Sequence, residues 1–168
     1  MKTKKNYNIY LVDDDPMYLS TLERLVIGQE PDIHVKSFPT GEDCLESFGK
    51  KIPDAVVLDY YLKGVENNAM DGIHILNKIK TTYRAVPVIM ISAQTKIEIA
   101  VNCIKNGALD FIIKNENAPF KLKLHLHQLI SGQERKNKIR SYEHWNMAMA
   151  ALFLVFLTGM VIYAYQHN

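Results

Sequence analysis

Cysteine is scarce in this chain: Cys44 and Cys103 are the only two in 168 residues. No motif spacing surrounds either, and each falls in a segment with helical spacing, so they read as buried thiols of a reducing compartment rather than a disulfide framework. A dominant charge is also missing. Twenty basic side chains against eighteen acidic ones leave a formal net charge of +2, and the basic residues are dispersed until the last third. That balance gives no footprint for nucleic acid. The N-terminus lacks an apolar core of signal-peptide length. "MKTKKNYNIYLVDDD" starts basic but places a run of only four apolar residues before three aspartates, so the N-terminus is expected to stay in the cytoplasm.

Long apolar runs are absent as well, with one exception. Residues 147–165, "MAMAALFLVFLTGMVIYAY", hold no charge in nineteen positions. As a helix this is roughly 28 Å, close to the hydrocarbon thickness of a bilayer. Trp145 borders one end and Tyr163 with Tyr165 the other, where amphipathic rings favour the interface. Thr158 can return its hydroxyl to the helix backbone. The competing reading is a buried or dimerising C-terminal helix, but apolar residues cover every face rather than one stripe. Arg135, Lys136, Lys138 and Arg140 precede the run and no Lys or Arg follows it. The expectation is a tail-anchored protein on the cytoplasmic membrane, with 166–168 as a short translocated tail.

Ahead of the run, apolar strand-like and amphipathic helix-like segments alternate. Ile9 to Val12 is a short strand ending on Asp13, Asp14 and Asp15. Pro16 suits the first position of a helix capped by Asp15, with Leu19, Leu22, Leu25 and Val26 at helical spacing. Residues 33–38 alternate as a second strand, and Thr40 with Asp43 resembles a capping box for a helix burying Cys44, Leu45 and Phe48. Residues 55–58 form a third strand, "AVVL", running into Asp59. Asp71-Gly72 opens a helix on Ile73, Ile75, Leu76 and Ile79. Residues 88–91 are a strand, 97–104 a helix stopped at Asn106-Gly107, and 111–113 a last strand. The segment "FKLKLHLHQLI" alternates like a strand, yet Leu122, Leu126, Leu129 and Ile130 fit one helical face; the order of elements favours a helix, broken at Ser131-Gly132. A polar stalk, 131–146, then leads to the apolar run. Five such alternations predict an α/β fold with a parallel sheet covered on both faces.

In a parallel sheet the residues after each strand meet at one edge, where ligands bind. Asp13 and Asp14 follow the first strand, Asp59 the third, Ser92 the fourth and Lys114 the fifth. Three converging carboxylates repel one another unless a cation intervenes. An all-oxygen site of that charge suits Mg²⁺. With the metal bound, Asp59 stays ionised as a nucleophile toward a phosphoryl group, and Ser92 and Lys114 can serve the oxygens that carry the transferred charge.

"IYLVDDDP", "VVLDYYL", "PVIMISA" and "NGALDFIIK", in this order and spacing, resemble the response-regulator receiver domain of two-component signalling. The resemblance covers about Asn8 to Ile130, within a receiver domain expected over 6–130. It implies a flavodoxin-like five-stranded sheet in the order 2-1-3-4-5, phosphorylated by a histidine kinase or phosphotransfer protein with Mg²⁺ as cofactor. Carried over by position, Asp59 matches the phospho-acceptor, Asp13 and Asp14 the metal-binding acidic pair, and Tyr61 a backbone carbonyl ligand. Ser92 matches the switch hydroxyl, Phe111 the switch aromatic and Lys114 the phosphate-contacting lysine. Asp15 reads as a helix cap rather than a ligand. His125 and His127 lie two apart, so on a helix they face different ways and do not form a metal pair.

Two features depart from the family. Residues 64–68 lengthen the loop after Asp59. Asn115 stands where the family has proline, and a cis bond there would cost about 2.5–4 kcal/mol, so a trans peptide or a rearranged loop is expected. No output domain fits between Ile130 and Trp145, which implies output through protein interaction, with a homodimer through the face of the fourth helix, fifth strand and fifth helix among the expected forms. Two rivals compete with phospho-acceptance. A membrane interaction module independent of phosphorylation is opposed by the intact acidic set. A phosphohydrolase usually places an acid two residues beyond its nucleophile, and here that position is Tyr61.

Overall fold

Val56, Val57 and Leu58 are each no more than 1% exposed, and this apolar run is the middle of the sheet. In the computed structural model, which describes residues 6–27, 32–62, 71–132, 146–147 and 149–152, five strands pair in the order β2-β1-β3-β4-β5. They are β1 (Tyr7–Val12), β2 (Ile33–Phe38), β3 (Ala55–Asp59), β4 (Val88–Ser92) and β5 (Asp110–Ile113). Every neighbouring pair is parallel. A parallel sheet is buried on both faces, which is why β3 and β4 carry no alternation and are buried at every residue. Burying each of these valine, leucine and isoleucine side chains contributes roughly 1.5–3 kcal/mol.

The intervening helices are α1 (Pro16–Ile27), α2 (Gly41–Phe48), α3 (Gly72–Thr82) and α4 (Ile97–Lys105). A fifth, α5, covers 118–132. Their starts follow from local chemistry. Asp15 Oδ1 accepts the backbone N–H of Met17 at 2.9 Å and of Tyr18 at 3.2 Å, as expected of a cap. Thr40 Oγ1 accepts the Asp43 N–H at 3.2 Å, and Asp71 Oδ1 that of His74 at 3.0 Å. Cys44 and Cys103 are free and buried inside α2 and α4. Burial pushes their thiols up to about 12 and about 11, so both are inert apolar fillers.

The helical alternative for "FKLKLHLHQLI" is the one adopted: Leu122 and Leu126 are buried, while Leu124 is half exposed. The expected break at Ser131-Gly132 is corrected, because both residues remain helical. Ser131 Oγ donates to the Gln128 carbonyl at 3.1 Å within the helix, and a single glycine costs only about 1 kcal/mol. Several strands are also one residue longer than their apolar runs suggest, so Asp59 and Ser92 are the last residues of β3 and β4 rather than the first residues beyond them.

The chain divides into two units, Met1–Leu126 and His127–Asn168, and the whole sheet belongs to the first. Most of the apolar run 147–165 and of the polar stalk lies outside the described residues; Met147 and 149–152 are helical and exposed. Among the described residues no helix is long and apolar enough to cross a membrane. The loop extension at 64–68 also lies outside the described residues.

Candidate functional site

Because the strands run parallel, β1, β3, β4 and β5 deliver their C-terminal ends to one rim. Asp13 follows Val12 and is held by its own neighbour: Oδ1 accepts the Asp15 N–H at 3.0 Å. Asp59 ends β3 beside Ile91, and Ser92 ends β4 beside Ile113. The Lys114 N–H donates to the Ser92 carbonyl at 2.7 Å, carrying the β4–β5 pairing one step further and fixing where the lysine leaves the sheet. Its ammonium lies 2.6 Å from Asp13 Oδ2 and 2.9 Å from Asp59 Oδ2. One carboxylate oxygen from each of Asp13, Asp14 and Asp59 falls within 4.8 Å of the others. Residues from four separate points of the chain therefore meet at one edge, with the three carboxylates close together and Lys114 in reach of Asp13 and Asp59.

Burial governs the electrostatics. Asp13 is 1% exposed and Asp59 4%. Desolvation pushes both carboxyls above the ordinary aspartate range, against the hydrogen bond and charge of Lys114, which pull them down. A backbone hydrogen bond from Tyr61 also favours the Asp59 carboxylate. Lys114 is raised: burial lowers it, but hydrogen bonds and charge from Asp13 and Asp59 outweigh that. The pair of acids is thus costly when ionised and partly neutralised by one lysine. A divalent cation fits the remaining demand. The donors are hard oxygens from three carboxylates, the set that suits Mg²⁺ with retained waters.

The other predicted residues fall as follows. Ser92 is fully buried, and its Oγ accepts the Gln94 N–H at 3.1 Å. Phe111 is half-buried and packs against the main apolar cluster. The Tyr61 side chain is 49% exposed and lies edge-on to Tyr60, leaving only its backbone for the site. No cis peptide occurs among the described residues, so the Lys114–Asn115 bond is trans, as the missing proline predicts. Asn115 shapes the loop differently: Oδ1 accepts the Asn117 N–H at 3.0 Å, an Asx turn leading into α5. His125 pairs with Asp110 at 2.7 Å, and His127 is exposed.

Two residues of the rim escaped the sequence reading. Gly72 was visible only as part of a helix start. A Cβ there would lie 2.0 Å from the Asp59 carbonyl oxygen and 2.9 Å from Tyr60 Cα, and its N–H donates to the Tyr60 carbonyl at 3.0 Å. Only glycine lets α3 start this close to the strand that presents Asp59. Tyr18 was hidden inside an ordinary amphipathic helix; its ring lies 4.7 Å from Lys114 Nζ.

Comparison with known proteins agrees with this geometry. A family profile for the response regulator receiver domain matches residues 9–126. The transcriptional regulatory protein ZraR of Escherichia coli strain K12 is 34% identical over 112 residues, which is 67% of this chain and 24% of ZraR. The nitrogen assimilation regulatory protein NtrX of Azorhizobium caulinodans is 34% identical over 114 residues, again 67% of this chain and 24% of the relative. The chain thus spans about a quarter of the length of these relatives. The BeF3-activated receiver domain of DrrB, from Thermotoga maritima, superposes with a TM-score of 0.64 at 28% identity, covering 75% of this chain and 98% of that domain. Receiver domains of this family are phospho-acceptors of two-component response regulators and bind Mg²⁺ at an aspartate cluster, the position held here by Asp13, Asp14 and Asp59. With its sheet order, its acidic rim and a family match across most of its length, this chain belongs to the response regulator receiver domain family.

Proposed function

We propose that this chain accepts a phosphoryl group on Asp59 from a histidine kinase or phosphotransfer protein and signals through a changed protein-binding face. The observation that supports this most strongly is the placement of Lys114 Nζ within 2.9 Å of both Asp13 and Asp59, at the edge where Asp14 joins them. An Asp59 oxygen attacks phosphorus, an O–P bond forms, and the bond to the donor breaks with its electron pair leaving on the donor. No proton has to be abstracted, so the rim needs no general base. Lys114 exchanges part of its contact with the carboxylates for the incoming phosphoryl oxygens. Asp13, Asp14 and Asp59, with the Tyr61 carbonyl, would hold Mg²⁺, which would supply positive charge to the transferring group.

Phosphorylation adds charge and acceptor oxygens beside Ser92. Its oxygen accepts the Gln94 N–H, which leaves the O–H free to turn and donate to them, and Phe111 moves into the space that opens. The face of α4, β5 and α5 then changes shape. That face carries exposed Ile97, Val101, Ile104 and Leu109, suited to a protein partner or a second copy. The apolar run 147–165 and the basic residues ahead of it, read from sequence, support a location of this receiver at the cytoplasmic membrane face.

Incubation of the protein with Mg²⁺ and acetyl phosphate tests the reading. The wild type gains one base-labile phosphoryl group, and Asp59→Asn gains none. Equal labelling of both proteins would remove Asp59 as acceptor. If partner binding is the same with and without phosphate, the interaction-module rival takes its place.

A further inference from the structure

Tyr18 enters α1 one turn from the acidic rim, with its backbone pinned by the Asp15 cap. Its ring lies against the Lys114 ammonium, 4.7 Å from Nζ to the centroid. The Tyr18 hydroxyl oxygen is buried and has no hydrogen-bond partner among the described residues. Burial, with the neighbouring charges of Asp13 and Asp59, pushes the phenol up to about 12, so it keeps its proton at neutral pH. The rim therefore contains a buried O–H donor without an acceptor, close to two carboxylates whose lysine contacts are already made. A buried donor left unpaired is costly, and a phosphoryl group brings three strong acceptor oxygens to this edge.

We propose that Tyr18 is a further substrate-contacting residue of this site: its hydroxyl donates a hydrogen bond to an oxygen of the phosphoryl group carried by Asp59, while its ring keeps Lys114 over the acceptor. The inference rests on the phospho-acceptor reading above. In the transfer the Asp59 carboxylate displaces acetate from acetyl phosphate, one O–P bond forming as another breaks. The Tyr18 proton stays on its own oxygen throughout.

The discriminating variant is Tyr18→Phe, which keeps the ring and removes only the O–H. Full-length wild type, Tyr18→Phe and Asp59→Asn are compared in detergent micelles. Three quantities are read: labelling rate with acetyl phosphate at saturating Mg²⁺, affinity for beryllofluoride with Mg²⁺, and affinity for Mg²⁺ alone. Loss of one hydrogen bond to a charged acceptor predicts about tenfold weaker beryllofluoride binding and about tenfold slower labelling. Mg²⁺ affinity is expected to stay at its wild-type value and the melting midpoint of the unphosphorylated protein not to fall, since the O–H removed is unpaired there; a merely structural tyrosine would lower the midpoint and leave beryllofluoride binding unchanged. Tyr18→Leu, which also removes the ring, should lose more than Tyr18→Phe. If Tyr18→Phe binds beryllofluoride and labels within about twofold of wild type, the hydroxyl has no such role, and the phospho-acceptor reading survives. If wild type itself neither labels nor binds beryllofluoride, that reading fails and takes this inference with it.

Discussion

Asp59 is 4% exposed yet ionisable, and its desolvation sets a conflict between stability and chemistry. Its folded pKa is raised above 3.8 by burial, so it contributes stability below that pH, and the contribution is lost as pH rises through the folded value. At neutral pH the ionised group is therefore a net burden on the fold. Asp59→Asn, which leaves Lys114 paired with Asp13, is expected to raise stability without Mg²⁺ by on the order of 1 kcal/mol, a shift of a few degrees in a thermal melt. A lower melting midpoint for the variant would contradict this. The same sign governs titration. Carboxyl-carbon NMR of the metal-free protein should place the Asp59 midpoint above 3.8, and Mg²⁺ should lower it by favouring the charged form. Lys114 has the opposite role, since it screens two buried carboxylates. Lys114→Ala should cost roughly 2–4 kcal/mol without metal, and Mg²⁺ should restore more stability to the variant than to wild type. Denaturant titrations with and without Mg²⁺ measure that difference.

Helix α3 and strand β3 are fitted to each other at Gly72. A Cβ at that position would sit 2.0 Å from the Asp59 carbonyl oxygen, a backbone atom that cannot turn aside. Gly72→Ala should therefore push the end of β3 out of place, costing about 1–3 kcal/mol and slowing acetyl phosphate labelling. Unchanged labelling with a lowered melting midpoint would show that the strain relaxes into α3 instead. The four charged side chains of the rim could be read from sequence because each sits at or just beyond the end of an apolar run, and parallel strands share one edge. Gly72 and Tyr18 could not. Asp-Gly reads as a helix start whether or not a strand approaches within contact. A tyrosine at helical spacing reads as packing unless the neighbouring lysine is already placed. Ser131-Gly132 misled for the reverse reason: a local helix-breaking pair was outweighed by a hydroxyl bond inside the helix.

The chain divides into two units, Met1–Leu126 and His127–Asn168; the proposed phosphoryl chemistry belongs to the first and the proposed anchor to the second. The family match ends at residue 126, ahead of the apolar run. Its reading stands on length, absence of charge and the basic residues ahead of it. Full-length protein is expected in the membrane fraction after carbonate washing, and a chain ending at Ile130 in the supernatant. Recovery of both in the supernatant would leave 147–165 as a packing or dimerising helix.

The measurement that bears hardest on the whole account is chemical mapping of the phosphoryl group. Protein treated with Mg²⁺ and acetyl phosphate is reduced with borohydride, which converts an aspartyl phosphate to homoserine, and its peptides are sequenced by mass spectrometry. Homoserine at position 59 alone, dependent on Mg²⁺, is the predicted result. Homoserine at another aspartate, or none while phosphate is retained elsewhere, would contradict it.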